Sequence, residues 1–211
     1  MADSILNLTR TQDRLMIKPN WVQPIESTFD FYREIYGYSG TVTNIFNLSK
    51  NYSHQVTYTF TNLNSEDEFN LTHFFCLHRG RCRRFWVPLW YNAFKLNIAV
   101  SAGDNILTII NNNFYRVDRG YDRIFLLLKN GDLITRSVTL VLKGLNNTEN
   151  ILLDSPIDRD IGLTDYTFFG KFLLSRFMDD KMDLKYNSDT GSSCQLSIKE
   201  LPFEYIEEEE S

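Results

Sequence analysis

Between Ser65 and Trp90 the chain reads SEDEFNLTHFFCLHRGRCRRFWVPLW, and this stretch limits the possible folds more than any other. Ser65 with Glu68 three residues on has the spacing of a capping box, in which the hydroxyl takes an orphan helix N–H and the carboxylate reaches back. Phe69, Leu71, Phe74, Phe75 and Leu77 follow at mixed spacings of three and four, an apolar helix face. Gly80 stands where the residue after a helix takes positive φ. The pattern predicts a helix over 65–79. Beyond it, Arg83 to Val87 reads as a strand that Pro88 closes, because proline has no N–H to donate into a sheet interior.

Most of the remaining chain alternates with period two. From Glu26, the residues Phe29, Phe31 and Ile35 fall on one side and Thr28, Asp30, Tyr32 and Glu34 on the other, a half-buried strand. Tyr38-Ser39-Gly40 turns the chain into a second strand over 41–46, and the asparagine-rich run 47–53 reads as a loop. Val56, Tyr58 and Phe60 then alternate with Gln55, Thr57, Thr59 and Thr61, whose side should face solvent or a partner. After the helix, 94–100, 106–110 and 114–117 are expected to form a meander with turns at Gly103-Asp104-Asn105 and Asn111-Asn112-Asn113. Asn130-Gly131 marks a hairpin between 123–129 and 132–135, with a type I′ turn expected from this pair. The strand continues over 137–142, a turn follows over 144–150, and 151–154 is a short strand. Residues 155–165 read as a surface loop, and 172–177, 182–186 and 194–201 as a second meander. The pattern predicts a mainly-β fold, a sandwich or barrel with one packed helix and a following meander region. The expected organisation is an N-terminal arm (1–20) ordered only against something else, a β-domain (21–120), a hairpin and meander region (121–202) that could belong to the same domain, and an acidic tail (203–211).

The charge excludes some partners. Twenty-two basic against 27 acidic residues leave −5, and Glu207 to Glu210 supply four of the acids, so the body is close to neutral. Binding to nucleic acid by counterion release needs a basic surface, so no nucleic-acid specificity is expected. No apolar run approaches the roughly 20 residues that span a bilayer, and Phe125 to Leu128 is the longest aliphatic piece, so membrane insertion is not expected. The N-terminus lacks a basic segment followed by an apolar one, so a secretion signal is not expected and synthesis in a cytoplasm is. Cys76, Cys82 and Cys194 are an odd number at irregular spacing and do not read as a disulfide framework. Cys194 shares a strand face with Leu196 and Ile198 and should be a small buried hydrophobe.

Four sets of residues suggest chemistry. His73, Cys76, His78 and Cys82 are soft-metal ligands within ten residues, but tetrahedral zinc needs them to converge, and only His73 and Cys76 share a helix face. The simpler expectation is Cys76 in the core and the histidines on the helix surface. Arg79, Arg81, Arg83 and Arg84 suit an anion site, a plain surface, or a subunit interface or internal ion pairs; the aromatic neighbours favour an interface, and the acidic first turn and acidic tail favour neutralising pairs over an anion site. Asp158, Asp160 and Asp165, or Asp179, Asp180 and Asp183, do not follow the spacing of a calcium loop and read as turn carboxylates. No Gly-x-Ser-x-Gly elbow accompanies the histidines, so no enzyme, catalytic residue, metal or cofactor is expected. Exposed tyrosines with Trp90 would suit a carbohydrate or receptor-binding module, the alternative reading.

Taken as one string, GRCRRFWVPLW after a helix containing Phe-Phe resembles small tail proteins of long-tailed bacteriophages, of the distal-tail or hub group. The residues that carry the resemblance are Gly80, Arg81, Phe85, Trp86, Pro88 and Trp90. It extends to Trp21, Pro24 and Glu26 near the start, and to Arg176-Phe177, the acidic turn at Asp179, Leu184, Tyr186 and Glu200-Leu201-Pro202 near the end. The resemblance implies a tail-tube-like fold and a structural virion protein of the tail tip or baseplate. It implies a homo-oligomeric ring, hexameric or trimeric, whose partners are its own copies, the tail tube and the hub. Arg81, Phe85, Trp86, Pro88 and Trp90 are then the expected pivot of the fold or its interface.

Overall fold

A computed structural model describes residues 13–19, 23–38, 42–116, 122–186 and 191–201, with backbone alone described for 31–38 and 42–52. Ten strands form one antiparallel sheet with a single α-helix among the described residues, eight of the strands in one hydrogen-bonded path and two pairing at its side, the mainly-β class expected. The chain divides into two compact units, Met1–Trp86 with Leu174–Ser211, and Val87–Leu173. The second is an excursion between the two parts of the first. The expected boundary between 120 and 121 falls inside it.

In the first unit, β1 (Glu26–Tyr38) and β2 (Val42–Leu63) form a hairpin. The polar run 47–53, expected to be a loop, is strand. Phe31 opposes Tyr52 but Arg33 opposes Asn47, so residues 48–51 face residue 32 alone and are absorbed as a bulge. A local polar run marks extra residues, and whether they leave the ladder depends on the partner strand. The turn expected at Ser39-Gly40 lies outside the described residues. β10 (Ser192–Glu200) pairs β2 and also the end of β8 (Tyr166–Phe177), through Ile198↔Phe177 to Glu200↔Ser175. β9 (Leu184–Tyr186) pairs the other end of β10, over Ser192–Cys194. The expected meander is therefore rearranged, with β10 the common partner. Val56, Tyr58, Phe60, Cys194, Leu196 and Ile198 are all buried, and each large one contributes about 1.5–3 kcal/mol. Phe29, expected on the buried side, is 54% exposed and stacks on His54 at 4.4 Å.

The arm expectation also changes. Residues 1–12 lie outside the described residues, but Arg14 bridges Trp86 in parallel, with Leu15 N–H on Trp86 O at 2.8 Å and Trp86 N–H on Asp13 O at 2.7 Å. Leu15 is buried. This segment is ordered against its own chain, because it satisfies backbone groups of β3 (Phe85–Pro88) that would otherwise be buried unpaired.

In the second unit the order is β8, β5 (Arg123–Leu128), β6 (Leu133–Lys143), β7 (Thr148–Leu153), β4 (Ile106–Ile110). The first expected meander is only partly formed here, since β4 takes β7 as its ladder partner and meets its sequence neighbour 94–100 at one isolated bridge, with Asn97 N–H on Thr108 O and Ile110 N–H on Lys95 O. Segment 94–100 makes only isolated bridges, Leu96↔Ile109 and Val100↔Ile161, and 114–116 is a 3-10 turn. Alternation records which side chains are buried, not whether the backbone has a ladder: Phe94, Leu96 and Val100 are buried in the core cluster without being strand. The β5–β6 hairpin forms as expected, with a different turn. Only Gly131 takes positive φ (+91°), and Gly131 N–H donates to Leu128 O at 3.0 Å. This is the three-residue loop with a glycine bulge, and the Asn130 side chain accepts from Asp132 N–H in place of taking the left-handed conformation itself.

β4 offers a direct check on register. Leu107 is fully buried and Ile106 half exposed. Leu107→Ala is expected to cost about 2–5 kcal/mol in chemical denaturation, and Ile106→Ala well under that; equal costs would contradict the assigned face.

Candidate functional site: the arginine turn and the acidic turn

The helix α1 spans Ser65–His78. Its N-cap is Asn64, whose side-chain oxygen accepts from Asp67 N–H at 2.8 Å, so the cap sits one residue before the Ser65 expected. Asparagine and serine cap equally well, and the residue whose backbone is already extended takes the role. Leu71, Phe74 and His78 form the buried stripe, while Phe69 is 67% exposed.

At the other end both Arg79 (φ 51°) and Gly80 (φ 58°) are left-handed. Gly80 is required twice over. Its conformation disfavours a side chain, and a Cβ there would lie 2.7 Å from Asp180 Cα. That close approach lets Asp180 grip the next residue: Oδ1 accepts from Arg81 N–H at 2.9 Å, and Oδ2 accepts from Arg81 Nε at 3.0 Å and Nη2 at 2.7 Å. The pairing holds Asp180 below the usual carboxylate range and raises the Arg81 guanidinium. Two turns 99 residues apart are latched by one carboxylate. At the far end of the same acidic segment, Tyr186 Oη donates to Glu68 Oε1 at 3.0 Å.

Beneath the latch is an aromatic cluster. Phe85 meets Phe74 edge-on at 5.1 Å, Phe177 at 4.6 Å and the His78 ring at 5.1 Å. His78 Nδ1 donates to Phe74 O at 2.9 Å, which leaves Nε2 unprotonated in the neutral ring. Burial pushes the His78 imidazole down from its ordinary value, outweighing that hydrogen bond.

Of the five residues singled out in the sequence, Arg81 is exposed and ion-paired. Phe85 is in the aromatic cluster, Trp86 is buried with its backbone on Asp13 and Leu15, and Pro88 is the buried last residue of β3. Trp90 is buried in the second unit, against Phe125 at 6.3 Å and Phe168 at 5.6 Å. The soft ligands do not converge: His73, Cys76 and Cys82 are exposed and His78 is buried, so the expected roles of Cys76 and His78 are exchanged. Cys76 lies two residues from Phe74 on the helix and so faces outward, whereas His78 lies four residues on and shares the buried stripe. Cys194 is buried, and burial pushes its thiol up to about 11. Asp158 pairs with Arg159, Asp160 accepts from Ala102 N–H, and Asp165 from Gly162 N–H, all turn contacts.

The sequence did not reveal one polar row. His54, buried, shares a hydrogen bond of 2.8 Å between Nε2 and Ser27 Oγ, and its peptide N–H donates to the buried Glu200 Oε2 at 3.2 Å. Ser53 Oγ donates to Glu200 O at 3.1 Å. Only the strand register brings these residues together. No protein-family model matches the chain, and no curated protein sequence matches it.

A group whose folded value is depressed favours folding above its ordinary value and loses that contribution as pH falls. For His78 the window opens at about 6.5 and extends below it. Wild type is therefore expected to lose stability between pH 7 and pH 5 by a margin that His78→Phe does not show, read from denaturation midpoints at both pH values. Equal losses would contradict the buried neutral histidine.

Proposed function

We propose that this protein is a structural component of the tail tip of a long-tailed bacteriophage, of the distal-tail or hub group, assembling into a hexameric or trimeric ring between the tail tube and the host-binding apparatus. Its place is the virion tail, after synthesis in the host cytoplasm, and its role is mechanical, not catalytic. One observation carries the reading. The segments on which the resemblance rests, Gly80-Arg81, Phe85-Trp86 and the acidic turn with Arg176-Phe177 before it, meet in space: Arg81 on Asp180, Phe85 on Phe177. Short matches scattered by chance have no reason to interlock, whereas parts of one inherited structural unit do.

Two surfaces support assembly. Among the described residues β10 pairs β2 only over Gln55–Leu63, which leaves the far half of the β1–β2 hairpin two-stranded. Such ribbons are marginal alone and gain from a neighbour. On the second unit, Ile106, Leu152 and Leu140 form one cross-strand row and Thr108, Asn150 and Leu142 the next. Ile106, Leu140 and Leu142 are exposed, and neither row carries a charge, the composition of an interface centre. Rings close through heterologous contacts of such patches.

Light scattering coupled to size exclusion, over a concentration series, tests this. The expected result is a mass rising toward three or six times 24.8 kDa, with Leu142→Lys shifting the distribution back toward the monomer. A mass of one chain at every concentration would contradict ring assembly by this protein.

A further inference from the structure

In the first unit, a cleft of about 480 Å³ lies between the outer face of β2–β10 and the segment 179–185. Its floor is Thr59, Thr61 and Gln195, the hydroxyl and amide side of the two strands. Its wall is Asp179, Lys181, Asp183 and Lys185, an alternation of sign at every second residue, all four lining the same cleft. The wall is fixed at both ends, by Asp180 on Arg81 and by Tyr186 on Glu68.

We propose that this cleft binds a neutral, polyhydroxylated ligand, a short stretch of oligosaccharide. The charges decide against other classes. Two lysines and two aspartates cancel, so neither a phosphate nor a cation is favoured, and Lys181 is already bonded to Asp183 at 2.9 Å. The lining is too polar for an apolar ligand, which needs a predominantly apolar pocket. What remains are groups that both donate and accept. Among the described residues, the Asp179 carboxylate, Thr59 hydroxyl and Gln195 amide have no hydrogen-bond partner, and all line the cleft. A sugar presents adjacent hydroxyls, each donor and acceptor, and satisfies carboxylate, amide, ammonium and hydroxyl together. The volume lies within the range of small-ligand sites. A wall pinned at both ends loses little freedom on binding, so few hydrogen bonds suffice for measurable affinity.

The inference stands apart from ring assembly, since the lining includes neither the uncharged rows of the second unit nor the two-stranded half of the hairpin. The test is a titration of the full-length chain with neutral mono- and trisaccharides of gluco, galacto, manno and N-acetylgluco configuration at millimolar concentration, followed by amide chemical shifts. Inorganic phosphate is titrated in parallel. The expected result is saturable shifts at Thr59, Thr61, Ser193 and Gln195 with at least one sugar. Thr59→Val and Gln195→Ala, both at a sheet surface, should each weaken it about five- to tenfold, the loss of one hydrogen bond, with the spectrum otherwise folded. No cleft shift with any sugar, shifts elsewhere only, or a stronger response to phosphate would each overturn the proposal. The scattering mass of both variants should equal that of wild type, which separates this outcome from a failure of assembly.

Discussion

One carboxylate organises the first unit. Asp180 takes the peptide N–H and two guanidinium N–H groups of Arg81, and the chain reaches this geometry only because Gly80 has no side chain to meet Asp180 Cα. The ion pair itself is exposed, and an exposed pair contributes little as Coulomb energy. Its effect is positional. It fixes where the helix exit meets the end of β8, and so sets Phe85 against Phe177 and Phe74 in the buried cluster below. The same contact sets the start of the charged wall over the β2–β10 face.

The sequence made the helix, the mainly-β class and most of the buried faces legible. The threonine side of β2 and the buried Cys194-Leu196-Ile198 face were readable because alternation is a local property that burial imposes directly. Strand pairing was not. β4 joins β7 and β10 joins both β8 and β9, choices made by tertiary packing across more sequence than any local pattern spans. The polar run 47–53 was misread for the same reason, since only the partner strand shows that its extra residues are a bulge.

The candidate site divides likewise. Gly80 and Arg81 stood out locally, and the glycine's conformation was foreseeable. Their partner was not singled out from the neighbouring aspartates, because nothing in Asp179-Asp180-Lys181-Met182-Asp183 distinguishes the carboxylate that turns toward the arginine. Phe85, Trp86, Pro88 and Trp90 act as core, so the aromatic half of the pattern that resembles an interface here builds the interior, while Arg81 stays exposed. The surfaces for which assembly and ligand binding are proposed lie elsewhere, on uncharged strand rows and in the cleft, where single residues carry no local signature.

Hydrogen exchange at the Arg81 amide tests the latch most directly. That N–H sits in an exposed turn, and its bond to Asp180 Oδ1 is a specific reason for it to resist exchange. Protection is expected in wild type and its loss in Asp180→Ala, which has no side-chain acceptor, together with faster exchange in the neighbouring residues of the turn. An Arg81 amide that exchanges in wild type as fast as an open loop, unchanged by the substitution, would contradict the latch.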